Sequence, residues 1–263
     1  MYSVEVCDMQ PDDEYFVATC AHTNESEEID ASAERRLAWL KEMYGKGLRV
    51  KVARAEGKPV GKASVMPIEI YPWGLSGRDI LVMPCIWVPP PYQRKGIGRA
   101  LMAEAVAEAN WQGKKALAIQ CYEGHCWFMP AAFFAKQEFS AIKKRGQEVL
   151  LWRPLHPYAE PPDFMERQYA FRPVADKVVV DLFWNSFCLT SVSEYQRVRQ
   201  IVEEFGDKVV LNEYPADDRK ILMQYQIPRA IMVNGRELGW GYVAPREGVR
   251  KAIREALEAI QPF

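Results

Sequence analysis

The chain has no C-x-x-C pair, no long uncharged apolar run and almost no net charge, and each absence excludes a class of function. Its cysteines, Cys7, Cys20, Cys85, Cys121, Cys126 and Cys188, are scattered through 263 residues. That scatter is neither a disulfide framework nor a zinc site, and it suits free thiols. Cys121, His125 and Cys126 lie close together but lack a fourth ligand, so no metal is expected. A formal net charge of -1 offers no bulk basicity for nucleic acid and no acidic tail for a cationic partner. Any phosphate recognition must therefore be local. No charge-free apolar stretch reaches the roughly 18 residues of a membrane span. The opening "MYSVEVCDMQPDDEY" has no basic region followed by an apolar one, so no signal peptide is expected and a cytoplasmic location is. Internal repeats and low-complexity tracts are missing as well.

What is present is apolar material: 49% hydrophobic and 12% aromatic residues, enough for two cores. The seam between them is "RPLHPYAEPPDFMERQYAFRP", where Pro154, Pro157, Pro161, Pro162 and Pro173 interrupt regular ladders and favour a stiff connector. The expected division is a domain over 1–153, a linker over 154–173 and a smaller domain over 174–263.

Before the seam, 11–23 and 31–45 read as helices, the second carrying Leu37, Leu40 and Tyr44 at helical spacing with Gly45 as its stop. "LRVKVARAEGKPVGKASVMPIEI" alternates around "EGKP" and predicts a hairpin. "DILVMPCIWV" is apolar on both faces and predicts a central strand. A glycine turn and helix follow, then the strand "KKALAIQCY", the helix "PAAFFAKQEF" and the strand "QEVLLWRP". The order is α-α-β-β-β-α-β-α-β, a mixed sheet flanked by helices. After the seam the order is β-α-β-(α)-β-β-α. Asn234-Gly235 forms the hairpin turn and "APREGVRKAIREALEAI" the closing amphipathic helix.

The most informative stretch is "VPPPYQRKGIGRALM", beginning at Val88. Glycines admit a ligand close to the backbone, and the first amides of a helix are unpaired and electropositive. Together they suit a pyrophosphate. Gln93-Arg94-Lys95-Gly96-Ile97-Gly98 after a strand ending in V-x-P resembles motif A of the GCN5-related N-acetyltransferases, and "AAFFAKQEF" resembles their motif B. The resemblance covers about 1–153. It implies acetyl-coenzyme A as cosubstrate, a small-molecule amine as acceptor, and a gap between strands that holds the pantetheine arm. Trp87 and Val88 would offer backbone groups to pantetheine. Gln93, Arg94, Lys95, Gly96, Ile97, Gly98 and Arg99 would hold the diphosphate, with Phe133 from motif B beside them. Pro89, Pro90 and Pro91, which cannot donate ladder hydrogen bonds, would end strand pairing where the gap begins.

The tyrosine that commonly serves as general acid in motif B is replaced by Phe134, and the position of the motif's asparagine falls near Trp127. Candidates for acid–base work are therefore Glu69, near the end of the third strand, and Tyr122 and His125 in "CYEGHC". A homodimer is left open.

In the second domain, "VVVDLFWNSFCLTS" resembles the strand and active-site turn of thioredoxin-like domains, with Cys188 in the first position and Ser191 replacing the resolving cysteine. "QIPRAIMVNGREL" resembles the stretch carrying that family's cis-proline, which implies Pro228. The combination resembles acetyltransferases with a YoaP-like C-terminal domain. A thiol at a helix start is stabilised as thiolate, which implies a reactive Cys188 with a lowered pKa. Three readings follow: an acetyl transferase; a coenzyme A sensor or scaffold without turnover, motivated by Phe134; and a thiol-dependent redox module acting through Cys188.

Overall fold

The computed structural model describes residues 4–124 and 128–260. The chain folds as two compact units, one of 23 and earlier, 40–71 and 75–165, the other of 24–39, 72–74 and 166 onward. The division of the sequence at the proline seam is thus not the whole of the arrangement, because a helix from near the N-terminus is shared between them.

The first unit begins with β1 (Val4–Asp8), a 3-10 turn, α1 (Glu14–Ala18) and α2 (Glu27–Tyr44). Of α2, the residues through Trp39 belong to the second unit and only the last turn to the first. There follow β2 (Arg49–Ala55), β3 (Lys58–Pro67), β4 (Leu75–Ser76), β5 (Ile80–Trp87), α3 (Ile97–Trp111) and β6 (Ala116–Tyr122). The unit closes with α4 (Ala131–Phe134), β7 (Ser140–Arg145), β8 (Glu148–Pro154) and β9 (Asp163–Phe164).

Seven strands form one sheet in the order β1-β2-β3-β5-β6-β8-β7, while β4 and β9 pair separately. The β2–β3 hairpin turns at Glu56 and Gly57, both at positive φ, as the expected "EGKP" turn requires. β5, apolar on both faces, lies at the centre of the sheet. Four strands lie outside the sequence reading: β1 and β7 in the seven-stranded sheet, and the short pair β4 and β9. The exposed, Lys-rich β7 has the pattern of an edge strand, as its place at the sheet's end shows. The motif B helix is also shorter than expected, running only from Ala131 to Phe134 before a 3-10 turn.

Helix α3 covers one face of the sheet. Ile97, Leu101, Met102, Ala105 and Ala109 bury its apolar stripe against β-strand residues such as Ala63, Val65, Leu117 and Ile119. Gly61 lets it approach: a Cβ there would lie 3.1 Å from Ile97 Cγ2 and 3.2 Å from Val88 Cγ2. At the far end of α3, the buried Glu108 meets Lys51 at 2.7 Å, and Lys51 also reaches Asp8 at 2.8 Å. Burial pulls the Lys51 ammonium down, but the two carboxylates outweigh it and its pKa stands above the usual lysine value.

The second unit contains β10 (Val178–Trp184), α5 (Leu189–Glu203), β11 (Val209–Pro215), α6 (Arg219–Tyr225), β12 (Ala230–Val233), β13 (Arg236–Glu237) and α7 (Arg246–Ile260). Its sheet has the order β11-β10-β12-β13, with β10 parallel to β11 and antiparallel to β12. Asn234 and Gly235 turn the β12–β13 hairpin with positive φ at both residues, as expected. The two larger sheets, each with its helices, make both units α/β. No helix of the described residues is long and apolar enough to cross a membrane.

Candidate functional site

The parallel pair β5 and β6 is joined for three residue pairs only, Ile80↔Ala116, Leu81↔Leu117 and Val82↔Ala118. β5 then continues to Trp87 on its other partner, β3, and β6 continues to Tyr122 on β8. Beyond Val82 and Ala118 the two strands face each other without ladder pairs. The parting begins earlier than the triple proline. It coincides with a bulge in β5: Ser64 and Met66 on β3 face Cys85 and Val82, which sets Met83 and Pro84 together against Val65. Proline has no N–H for a ladder and is accommodated at bulges, so Pro84 is placed where pairing fails. Pro89, Pro90 and Pro91 act differently, since Pro90 to Tyr92 form a 3-10 turn that leads out of the strand.

At the same end of the sheet, the chain enters α3 through Gly96, whose φ of 85° is left-handed and favours glycine. Arg94 also has a positive φ, 61°. Gln93 ties the loop back, its Nε2 donating to the Val88 carbonyl at 2.9 Å. That carbonyl is thereby engaged within the loop. Helix α3 has no acidic residue in its first turn and no side chain capping it. The amides of Ile97, Gly98 and Arg99 are thus left to an external acceptor at the positive end of the helix. Arg94, Lys95 and Arg99 are exposed around this helix start. Lys95 Nζ stands 5.6 Å from the Tyr92 ring. Among the described residues, neither Arg94 nor Arg99 is paired with a carboxylate.

Phe133 and Phe134 divide the work expected of motif B. Phe134 is fully buried in the core beneath α3. Phe133 reaches the glycine turn: a Cβ on Gly98 would stand 3.1 Å from its Cζ. The two rings meet edge to face, 5.0 Å apart.

The catalytic candidates separate. Tyr122 ends β6 on the side of the sheet end where Trp87 and the glycine turn lie; its ring tilts against Phe128 at 6.2 Å, and its amide donates to the Met129 carbonyl. Glu69 does not join it. The register pairs Pro67 with Leu81, at the start of β5. Glu69 accepts from the Asp79 amide at 3.1 Å and lies 3.6 Å from Lys114. Six residues of strand, roughly 20 Å, separate that end from Trp87. The expectation of a base at Glu69 is corrected accordingly: the third strand ends at the wrong edge. His125, Cys126 and Trp127 lie outside the described residues.

Sequence reading missed a set of buried polar residues beside the parted strands: Lys62 and Ser64 on β3, Cys85 on β5 and Gln120 on β6, none of them more than 9% exposed. The signal was available in β3, where a lysine and a serine interrupt the strand at alternate positions. Cys121, by contrast, is fully buried. Its thiol donates to the Val149 carbonyl, and burial pushes it up to about 12.

In the second unit Cys188 is the N-cap of α5 and half-buried. Its Sγ stands 3.1 Å from Thr190 Oγ1, and its amide donates to Asn185 Oδ1 at 3.0 Å. Ser191, where a resolving thiol would stand, accepts from the Asn185 amide at 3.0 Å. The expectation of a cis-proline at 228 is not met, since the described residues contain no cis peptide bond. The Pro228 carbonyl instead accepts from Asn185 Nδ2 at 3.1 Å, which a trans Ile227–Pro228 peptide permits.

A strand gap and an open, cation-flanked helix start thus lie at one end of the sheet. Residues 46–141 match the acetyltransferase (GNAT) domain family. Similar solved structures include a GNAT-family protein from Desulfovibrio desulfuricans, 20% identical over 58% of this chain and 99% of that one, with a TM-score of 0.46. YncA from Salmonella typhimurium, solved with acetyl-CoA, is 18% identical over 60% of this chain and 97% of that one, TM-score 0.44. PaiA N-acetyltransferase from Thermoplasma acidophilum, in complex with coenzyme A, is 15% identical over 58% and 99%, TM-score 0.41. No curated protein matches the chain significantly.

Proposed function

We propose that the first unit transfers an acetyl group from acetyl-coenzyme A to a small-molecule amine. The observation that carries this reading is the ladder that stops at Val82 and Ala118, at the same sheet end as the open start of α3. The edge of β5 from Met83 to Trp87 that faces β6 receives the pantetheine arm as a substitute strand. The amides of Ile97, Gly98 and Arg99, with Arg94 and Lys95, hold the diphosphate. Phe133 packs over the turn. The acceptor nitrogen attacks the thioester carbonyl; the C–N bond forms, the C–S bond breaks, and the nitrogen loses a proton to solvent. Tyr122, at this end of β6, donates a proton to the departing thiolate.

Two variants test the reading. Gly98→Asp alone would push the Phe133 ring, so the comparison is made in a Phe133→Ala background between Gly98→Ala and Gly98→Asp. The added carboxylate should weaken acetyl-coenzyme A binding at least tenfold, about 1.4 kcal/mol, by calorimetry. Equal affinities would remove the diphosphate from this turn. Tyr122→Phe should lower kcat by about 10²-fold or more with little change in the affinity for acetyl-coenzyme A. Coenzyme A release over a panel of amines separates a transferase from a sensor, which would bind and never turn over.

The second unit reads best as a thioredoxin-like domain with one thiol. The strand order β11-β10-β12-β13 and the placing of Cys188 at the start of α5 support that reading. With Ser191 hydrogen-bonded in place of a second thiol, its chemistry is limited to mixed disulfides and reversible oxidation.

A further inference from the structure

Four polar side chains share the face of the sheet opposite α3, at the level where β5 and β6 part. The faces follow from alternation. A Cβ on Gly61 would point at Ile97 and Leu101 of α3, so Lys62 and, two residues on, Ser64 take the other face. Cys85 is directly opposite Ser64 and shares its face. Leu117, Ile119 and Cys121 belong to the core under α3, which turns Gln120 to the far face as well.

Their bonding is incomplete. Lys62 and Ser64 are fully buried. Lys62 Nζ reaches across to β5 and finds only the Cys85 sulfur, at 3.8 Å, with no carboxylate beside it among the described residues. Ser64 Oγ has no partner, and neither has Gln120 Oε1. The orientation of the Gln120 amide is fixed chemically: its Nε2 donates to Glu148 Oε1 at 2.8 Å, and a carboxylate only accepts, so the oxygen is the orphan. Buried polar groups are ordinarily satisfied, and a buried lysine head without a counter-charge is costly. Three incomplete groups on one face, on both sides of a strand gap, have the donor and acceptor pattern of a subsite rather than of a core.

Resting on the acyl-transfer reading, we propose that this cluster selects the acceptor: an amine that also carries a carboxylate, as amino acids do. Lys62 and Ser64 take the carboxylate, one as a cationic donor and one as a hydroxyl donor. Gln120 Oε1, across the gap, accepts from the amine nitrogen and turns it toward the thioester. The carboxylate completes the bonding of Lys62, and the selectivity follows because an amine lacking it leaves these groups buried and unpaired.

The experiment uses the full chain with matched amines: glycine and methylamine, γ-aminobutyrate and propylamine, lysine and cadaverine. Coenzyme A release should give the carboxylated member of at least one pair a kcat/KM about a hundredfold higher, and Lys62→Met should reduce that ratio to within about threefold. Met replaces the buried lysine with an apolar chain of similar length, a change that folds tolerate. Ser64→Ala, which should reduce the ratio about tenfold, decides the matter if the first variant does not fold. Equal turnover within every pair, or a preference that survives both variants, overturns the proposal and leaves acyl transfer standing. If no amine releases coenzyme A, the acyl-transfer reading has failed, and calorimetry with the same amines decides the subsite. Binding of the carboxylated members that Lys62→Met abolishes upholds it, and no heat from any of them overturns it.

Discussion

At the scale of single residues, Cys7, Cys121 and Cys188 show how surroundings sort identical side chains. Cys7 is half-buried like Cys188, but burial, followed by the nearby Asp13 carboxylate, raises its thiol pKa. Cys121 is raised further, to about 12, by burial inside the sheet. The reactive species is the thiolate, so both are withheld from chemistry near neutrality. Cys188 is the N-cap of α5, beside the Thr190 hydroxyl and the unpaired amides of the first turn. Iodoacetamide at pH 7 should therefore label Cys188 well before Cys7, with Cys121 unlabelled in the folded chain, as read by peptide mass spectrometry. Labelling of Cys7 at the same rate as Cys188 would leave the second unit a fold without thiol chemistry.

Single elements gain their stability from partners far away in sequence, and Glu28 on α2 is the clearest case. Its carboxylate receives Arg197 Nη2 of α5 at 2.9 Å and has Arg246 of α7 at 3.5 Å. The Arg197 hydrogen bond, opposed by burial and aided by the two guanidinium charges, holds the Glu28 pKa below its usual 4.5. A carboxylate with a depressed folded pKa contributes stability above its unfolded value, and that contribution is lost as pH falls through the folded one. Glu28→Gln should thus lower the denaturation midpoint of the second unit at pH 7, and the difference from wild type should shrink below about pH 4. A constant difference from pH 7 to pH 3, by circular dichroism, would show that the ion pair adds nothing. Elements of this kind are also where sequence reading succeeded and failed. The central β5, the β2–β3 and β12–β13 turns and the glycine start of α3 were legible because each rests on a local pattern. The place where β5 and β6 part was not, because a bulge is a relation between strands, although Pro84 inside an apolar run was a clue. Glu69 was misplaced for a similar reason: its distance from Trp87 depends on antiparallel register, which no spacing along the chain reveals. The orphaned Lys62, Ser64 and Gln120 became visible only when three strands were laid side by side.

For the whole molecule, the proline seam invites the view that the chain can be cut into two independent pieces, and the composition of the second unit argues otherwise. Residues 24–39, far upstream of the seam, belong to that unit. Arg36 Nε donates to the Phe187 carbonyl at 2.6 Å, next to Cys188. Ser32 Oγ meets Ser193 Oγ at 2.9 Å and Gln196 Oε1 at 3.1 Å. The Arg35 guanidinium lies 4.3 Å from the Trp184 ring centre, and Trp39 sets its edge against Phe187. Arg36, Ser32 and Ser193 are all buried, so removing the helix exposes or orphans groups that water does not otherwise reach. At about 1 kcal/mol for each hydrogen bond lost, a fragment of 166–263 should be less stable than the same unit in the full chain by on the order of 3 kcal/mol. The appropriate measurement is hydrogen exchange of the α5 and β10 amides, compared peptide by peptide between fragment and full chain. Protection in the fragment should fall by about two powers of ten, and a peptide spanning 24–39 added in excess should restore part of it. Equal protection in the two forms would mean that the upstream helix merely rests on a unit that folds without it.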